Sequence, residues 1–317
     1  MADQGDLIDS VDERVKARNE RRDFFKAALG AAAVGTVALT LPRLARAQSF
    51  TDADVLNLAL NLEYLTAQFY AFATTGTTID ATLITGTGTA GAATGGRKVT
   101  FTDSTVSAFA QEIAKDELAH VKFLRAATAS VVVAQPAIDL SATATGAFSK
   151  LAQSAGIVGA GAAFDPYASD ENFLLAAFML EDVSVSAYQG AASLIGNATY
   201  VEATAGLLAC EAYHAAMIRS TLYAKGIAAP TLWTQADGIS NARDALDGAT
   251  DDDQGISPVT INGGQASNVT PTDANGLTFA RSAAQALNIA YLASTAATTG
   301  GFFPAGVNGN IKTAAAN

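Results

Sequence analysis

Both histidines of this 317-residue chain follow a glutamate by three positions. The two pairs are Glu117 with His120 and Glu211 with His214, in a chain that holds only nine glutamates, so chance would rarely produce both pairs. Side chains three positions apart in an α-helix project from the same face. Each pair therefore places one carboxylate and one imidazole where they can bind the same metal ion.

Four stretches of the sequence have the apolar spacing of long amphipathic helices. They cover about 52–75, 104–133, 171–195 and 199–225. The two glutamate–histidine pairs interrupt the apolar stripes of the second and fourth helices, and Glu63 and Glu181 interrupt those of the first and third. This pattern predicts an all-α fold built on a four-helix bundle.

The acidic and imidazole side chains on these stripes are the ligand set of a site for two metal ions inside such a bundle. The set is Glu63, Glu117, His120, Glu181, Glu211 and His214. Burying four carboxylates together is unfavourable, because they lose their hydration and repel one another. Few lysines or arginines share these stripes, so divalent cations are the physical means of holding the carboxylates together. Isolated salt bridges and a core without metal are the alternatives.

Two tyrosines repeat the same spacing. Tyr70 follows Glu63 by seven positions, and Tyr188 follows Glu181 by seven. Residues 52–133 and 170–226 therefore resemble a duplicated helical hairpin. Each tyrosine could donate a hydrogen bond to a ligand carboxylate and orient it, and simple packing is the alternative for each one.

Two long connections interrupt the helical pattern. Residues 76–102 are rich in Gly and Thr and predict a loop with a short hairpin near 98–101. Residues 134–169 predict a long crossover between the second and third helices, with a short helix near 144–155. A short turn at Gly196 and Asn197 makes the third and fourth helices antiparallel neighbours.

The first 47 residues read as a targeting segment. Arg21 and Arg22 precede an apolar run of about 15 residues, shorter than the roughly 20 of a membrane-spanning helix, and Ala45-Arg46-Ala47 follows. This segment resembles a twin-arginine signal cleaved after Ala47. It implies export to the periplasm through the twin-arginine translocase, which carries folded proteins, so metal could be loaded before export. An uncleaved membrane anchor is the alternative.

Residues 227–317 are rich in Gly, Asn, Thr and Asp and predict a C-terminal extension packed on the bundle. Helices are expected at about 277–296 and near 236–246. The three aspartates 251–253 lack the ligand spacing of a calcium loop and are interpreted as a solvated loop. Cys210 is the only cysteine, so no disulfide can form within the chain, and we interpret it as a packing residue.

Residues 50–226 resemble a ferritin-like di-iron carboxylate domain. The wider chain resembles an exported ferritin-like group related to desiccation-related proteins, through the segments Phe279-Ala280-Arg281, Leu287-Asn288-Ile289 and Gly300-Gly301-Phe302-Phe303-Pro304. The resemblance implies that Glu117 and Glu211 bridge two metal ions and are the catalytic pair. It also implies that Glu63 with His120 completes one ion and that Glu181 with His214 completes the other.

The resemblance implies two ions of iron, with manganese or a mixed Mn/Fe pair as alternatives, because carboxylate and imidazole suit both metals. The expected function is redox chemistry with O2 or peroxide in stress protection. The alternative is a non-catalytic desiccation or envelope protein whose metals are structural or absent. The lack of a cysteine cluster argues against a rubrerythrin, the long tail against a ferritin storage shell, and Glu211 against a manganese catalase.

The net charge of −11 argues against nucleic acid as a partner, because phosphate binding needs clustered lysines and arginines. The expected small-molecule partner is O2 or peroxide. A homodimer is one option for the assembly.

Overall fold

The computed structural model describes residues 50–316, and within them the regular secondary structure is almost entirely helical. The seven α-helices of this part are α1 (Asp52–Thr75), α2 (Ser104–Thr128), α3 (Ala147–Ser154), α4 (Asp170–Ala191), α5 (Ala198–Gly226), α6 (Thr231–Asp247) and α7 (Ala283–Tyr291). The predicted all-α fold is confirmed. The predicted signal at residues 1–47 lies outside the described residues.

Helices α1, α2, α4 and α5 form the bundle as two antiparallel hairpins. In the first hairpin, the side chain of Asn57 near the start of α1 donates to the carbonyl of Val131, just past the end of α2. In the second, Lys225 at the end of α5 contacts Glu171 at the start of α4. Apolar stripes from all four helices meet in one core, as the helical spacing of the sequence predicts.

The helix ends differ from the predicted bounds by a few residues, and local backbone features explain the differences. Thr51 caps α1 with a reciprocal pair of hydrogen bonds to Asp54. Helix α2 stops at Thr128 rather than 133, because Ala129 has a φ of 42° and starts a short 3-10 turn. Helix α7 is shorter than predicted and ends where Leu292 adopts a left-handed conformation.

The predicted hairpin near 98–101 is wrong. Instead, β1 (Ala93–Thr94) pairs in parallel with β2 (Ile138–Asp139). The first loop thus finds its backbone partners in the crossover rather than in itself. Gly91 permits this approach, because a Cβ atom there would lie 2.2 Å from the backbone nitrogen of Ala137.

The C-terminal segment lies against α4 and α5 through a buried charge network. Three arginines, each at most 1% exposed, contact three aspartates: they are Arg219, Arg243 and Arg281, with Asp182, Asp247 and Asp253. Removing one member of such a network leaves an uncompensated buried charge. The network therefore anchors α6 and the segment that leads into α7 to the bundle. The strands β3 (Val259–Ile261) and β4 (Gly264–Ala266) pair with each other in antiparallel fashion.

The interpretation of residues 251–253 as a solvated loop is wrong for Asp253. Its carboxylate is 5% exposed and accepts hydrogen bonds from Arg243 and Arg281. Asp251 is exposed, as expected. The sequence did not distinguish them, because both arginines are distant from Asp253 in the chain.

None of the helices between residues 50 and 316 combines the length and apolar character that a membrane crossing requires.

Candidate metal centre

The bundle brings all six predicted ligands together at its centre. Helix α1 supplies Glu63, α4 supplies Glu181, and the two glutamate–histidine pairs come from α2 and α5. Their exposed fractions are 0% for Glu117, Glu181 and Glu211, 1% for His214, 3% for Glu63 and 7% for His120. Buried carboxylates of this number need charge compensation.

The six residues form two overlapping groups whose ligand atoms lie within 4.8 Å of one another. One group consists of Glu63, Glu117, His120 and Glu211, and the other of Glu117, Glu181, Glu211 and His214. Glu117 and Glu211 belong to both groups. The geometry thus offers two adjacent cation positions with two shared carboxylates.

Each histidine points its Nδ1 atom into this cluster, where it lies nearer to the glutamate of the other pair than to its own. His120 Nδ1 is 2.9 Å from Glu211 Oε1 and 4.0 Å from Glu117 Oε1. His214 Nδ1 is 3.1 Å from Glu117 Oε1. The two imidazole rings are 5.9 Å apart. At the centre of the bundle, the histidine of each hairpin therefore contacts a glutamate of the other hairpin.

The inward-facing atoms of the cluster lack hydrogen bonds of good geometry among the described residues. These atoms are Glu63 Oε2, Glu117 Oε1, both carboxylate oxygens of Glu181 and Glu211, and Nδ1 of both histidines. Buried polar atoms normally have partners, so eight such atoms around one space need an explanation. Oxygen and imidazole nitrogen atoms in this arrangement fit divalent iron or manganese.

The outward-facing oxygens of two glutamates are held by hydroxyl groups. Tyr188 donates to Glu63 Oε1, and Thr66 donates to Glu117 Oε2. The expected contact between a tyrosine and a ligand carboxylate therefore exists, and it joins α4 to α1. The Tyr70 hydroxyl is buried near Glu181 and has no hydrogen bond of good geometry among the described residues.

Sequence analysis did not identify Thr66, although it follows Glu63 by three positions and so shares its helix face. It also did not identify Asp116, whose Oδ2 atom lies 3.7 Å from Nε2 of His214. A carboxylate beside the outer nitrogen of a ligating histidine can fix its tautomer. The half-buried Cys210 lies on the same side, with Sγ 3.6 Å from that nitrogen.

Burial and mutual repulsion raise the pKa of three glutamates. Burial, with the charge of Glu63 next, raises the pKa of Glu117 to about 7. Burial, with the charge of Glu117 next, raises the pKa of Glu181 to about 7 and that of Glu211 well above its usual range. Burial also acts to raise the pKa of Glu63, but His120 outweighs it and the pKa is lowered.

Burial acts on the pKa of the histidines in the opposite direction, but the neighbouring carboxylates outweigh it. Burial acts to lower the pKa of His214, but its contact with Glu117 and the charge of Glu181 raise it to about 10. The pKa of His120 is also raised, because the charge of Glu63 and neighbouring contacts outweigh the effect of burial. Without bound cations the cluster therefore holds protons, and cations displace these protons when they bind.

Comparisons with known proteins identify the family of this chain. The family model described as the ferritin-like domain matches residues 51–224. The desiccation-related protein PCC13-62 of Craterostigma plantagineum is 32% identical over 180 residues, which cover 55% of this chain and 53% of that protein. The match thus spans about half the length of that relative.

A second relative matches over more of the chain. The ferritin-like catalase Nec2 of Nesocodon mauritianus is 25% identical over 268 residues, which cover 82% of this chain and 84% of that protein. No solved structure matches the chain. The matched family segment covers more than half of the chain and includes all six clustered residues, so the chain belongs to the ferritin-like domain family.

Proposed function

We propose that this chain is an exported ferritin-like protein that holds two metal ions and performs redox chemistry on O2 or hydrogen peroxide in protection against stress. Iron is the proposed metal, with manganese or a mixed pair as alternatives. One observation carries the proposal: eight buried oxygen and nitrogen atoms, which have no hydrogen bond of good geometry among the described residues, surround one space at the bundle centre.

Each ion would take two ligands of its own and share two others. Glu63 and His120 would hold one ion, Glu181 and His214 the other, and Glu117 and Glu211 would contact both. Two bound redox-active ions would supply a pair of electrons to, or accept a pair from, a molecule that contains an O–O bond.

The chain itself would orient the ligands, exclude bulk water and release protons when the ions bind. Tyr188 holds Glu63, and Thr66 holds Glu117, so the remaining oxygen of each carboxylate is aimed at the centre. Burial of the whole cluster excludes bulk water. The carboxylates would bind the ions in their deprotonated form, so the protons that the metal-free cluster holds would leave when the ions bind.

Peroxide removal is the reaction that the second relative supports. That relative is named a catalase and matches 82% of this chain. Disproportionation converts two molecules of H2O2 into one O2 and two H2O, so it needs no external electron donor. This agrees with a chain whose single cysteine cannot form a rubredoxin-type cluster. The similarity to this relative supports peroxide as the substrate, although Glu211 argues against a manganese catalase.

A non-catalytic protective role is the second candidate. It is favoured by the 32% identity to a desiccation-related protein. In this role, metals would only compensate the buried carboxylates and stabilise the bundle. The twin-arginine segment at residues 1–47 would direct the protein to the periplasm in either role, and it would be cleaved after Ala47.

Elemental analysis and two assays of the exported, untagged protein test the proposal. We expect two iron or manganese ions per chain, together with O2 release from H2O2 or O2-dependent oxidation of ferrous iron. Glu112→Gln, an exposed change on the same helix as Glu117, should leave metal and activity unchanged. Bound but redox-silent metal, or no metal, would instead favour the protective role.

A further inference from the structure

An apolar cavity of about 30 Å³ ends at the candidate metal centre. It lies between α1 and α4 and is covered by α7 and Ile311. Its lining includes Glu63 and Tyr188, the hydrogen-bonded pair at one edge of the cluster. The cavity therefore touches a proposed ligand of the metal.

The cavity follows the antiparallel pairing of α1 and α4. Along α1 it is lined from Val55 to Glu63, nine residues whose ends lie about 12 Å apart along the helix axis. On the α4 side it is lined from Leu194, three residues beyond the end of the helix, back to Ser184. Leu194 is 45% exposed, whereas Glu63 is 3% exposed. The cavity thus runs from the protein surface to the buried cluster.

The lining selects by size and charge. Glu63 is its only charged residue, and Ala59, Ala187, Ala191, Ala283 and Ala286 supply much of the wall. A volume of about 30 Å³ exceeds the roughly 10–15 Å³ that one water needs, but it is far below the volume of an organic molecule. The apolar wall and the inner carboxylate both disfavour anions.

The opposite side of the cluster has a different character. There Asp116 and Cys210, both partly exposed, lie beside the outer nitrogen of His214. Polar groups of this kind suit cations and protons. The structure therefore separates an apolar side of the centre from a polar side.

We infer that the cavity between α1, α4 and α7 is the passage by which an uncharged molecule of two oxygen atoms, dioxygen or hydrogen peroxide, reaches the metal centre. This inference rests on the proposed function. It makes the C-terminal extension part of the substrate path, because Ala283 and Ala286 of α7 close the passage on one side.

The position of α7 over the passage depends on a close contact with α4. The backbone nitrogen of Arg281 donates to the carbonyl of Ser186. A Cβ atom on Gly190 would lie 1.9 Å from the carbonyl oxygen of Arg281. The glycine therefore permits the contact that sets the width of the passage.

Filling the outer end of the passage tests the inference. Ala283 and Ala191 are both partly exposed, so Ala283→Phe and Ala191→Phe can narrow the passage without enlarging a buried core position. The control is Ala284→Phe, a partly exposed neighbour on α7 that lines neither this cavity nor the adjoining one. Metal-loaded, reduced protein is mixed with O2 and, separately, with H2O2.

We expect both passage variants to slow the second-order reaction about tenfold or more, with unchanged metal content and with Ala284→Phe like the wild type. Slowing with O2 alone or H2O2 alone would identify the molecule that uses the passage. Xenon should also bind beside Leu58 and Ala187 in metal-free wild-type protein, as in other dry apolar cavities.

Wild-type rates in both passage variants, or no xenon at this position, would overturn the passage and leave the proposed function standing. A wild-type protein that takes up metal but reacts with neither O2 nor H2O2 would overturn the proposed function, and the inference with it.

Discussion

The hydroxyl of Tyr188 on α4 donates a hydrogen bond to Glu63 on α1, across 125 positions of sequence. The repeated Glu–Tyr spacing predicts that each tyrosine could orient a ligand carboxylate, but it does not say which one. The structure pairs the tyrosine of one hairpin with the glutamate of the other. This contact ties the two hairpins together at the edge of the candidate metal centre.

Tyr188→Phe should weaken metal binding about 10- to 100-fold, because it removes the hydrogen bond that orients Glu63. Metal affinity is measured by competition with a chelator of known affinity. The matched control is Tyr70→Phe, since the Tyr70 hydroxyl makes no hydrogen bond of good geometry among the described residues. Equal losses in the two variants would contradict an orienting role specific to Tyr188.

Glu211→Gln should reduce the metal content below two ions per chain, because this carboxylate belongs to both ligand groups. The same change removes a buried acid whose pKa is raised well above its usual range. The metal-free variant should therefore melt no lower than the metal-free wild type. Elemental analysis measures the metal content of this variant and of the control Glu112→Gln. Two ions per chain in Glu211→Gln would exclude Glu211 as a shared ligand.

Metal binding at pH 7 should release roughly two or more protons per chain. Glu117 and Glu181, with pKa values of about 7, are then about half protonated, and His214, with a pKa of about 10, is protonated. Calorimetry in two buffers with different ionisation enthalpies measures the release. Binding heats that do not depend on the buffer would contradict the charge state proposed for the cluster.

The stability of the metal-free protein should fall as the pH rises from about 4.5 to 7. Glu117 and Glu181 have pKa values raised from 4.5 to about 7 by burial, so the folded state binds more protons than the unfolded state in this range. Their contribution is complete below pH 4.5 and is lost as the pH passes 7. Urea midpoints measured across this range, with metal-loaded protein as the control, should show the fall only without metal.

Gly190→Ala should destabilise the protein by about 1–3 kcal/mol, because the added methyl group collides with the carbonyl of Arg281 and forces α7 away from α4. Gly206→Ala is the matched control in α5. That glycine is exposed and a Cβ atom there meets nothing within 4 Å, so the change should stabilise the protein by about 0.5–1 kcal/mol. Urea unfolding measures both, and a neutral Gly190→Ala would show that the contact adapts.

The helices and the candidate ligands could be predicted from sequence because both leave periodic local signals. A helix buried on one face repeats its apolar residues every three to four positions, and the glutamates and histidines interrupt those repeats. The crossover and its short helix were also found, since breaks in periodicity mark connections. The hairpin near 98–101 was wrong, because Val99 donates its backbone hydrogen bond to Ala73 near the end of α1, and the loop before it pairs with the crossover about 45 residues away.

What the sequence determined by itself was the bundle, its four long helices and the six acidic and imidazole side chains on their inner faces. Only the tertiary structure decided that His120 faces Glu211, that Thr66 and Tyr188 hold ligand carboxylates, that Asp253 is buried, and that α7 covers an apolar cavity. The reason is physical: helical periodicity is a property of neighbouring residues. The pairing of distant side chains depends on how whole helices are placed against one another.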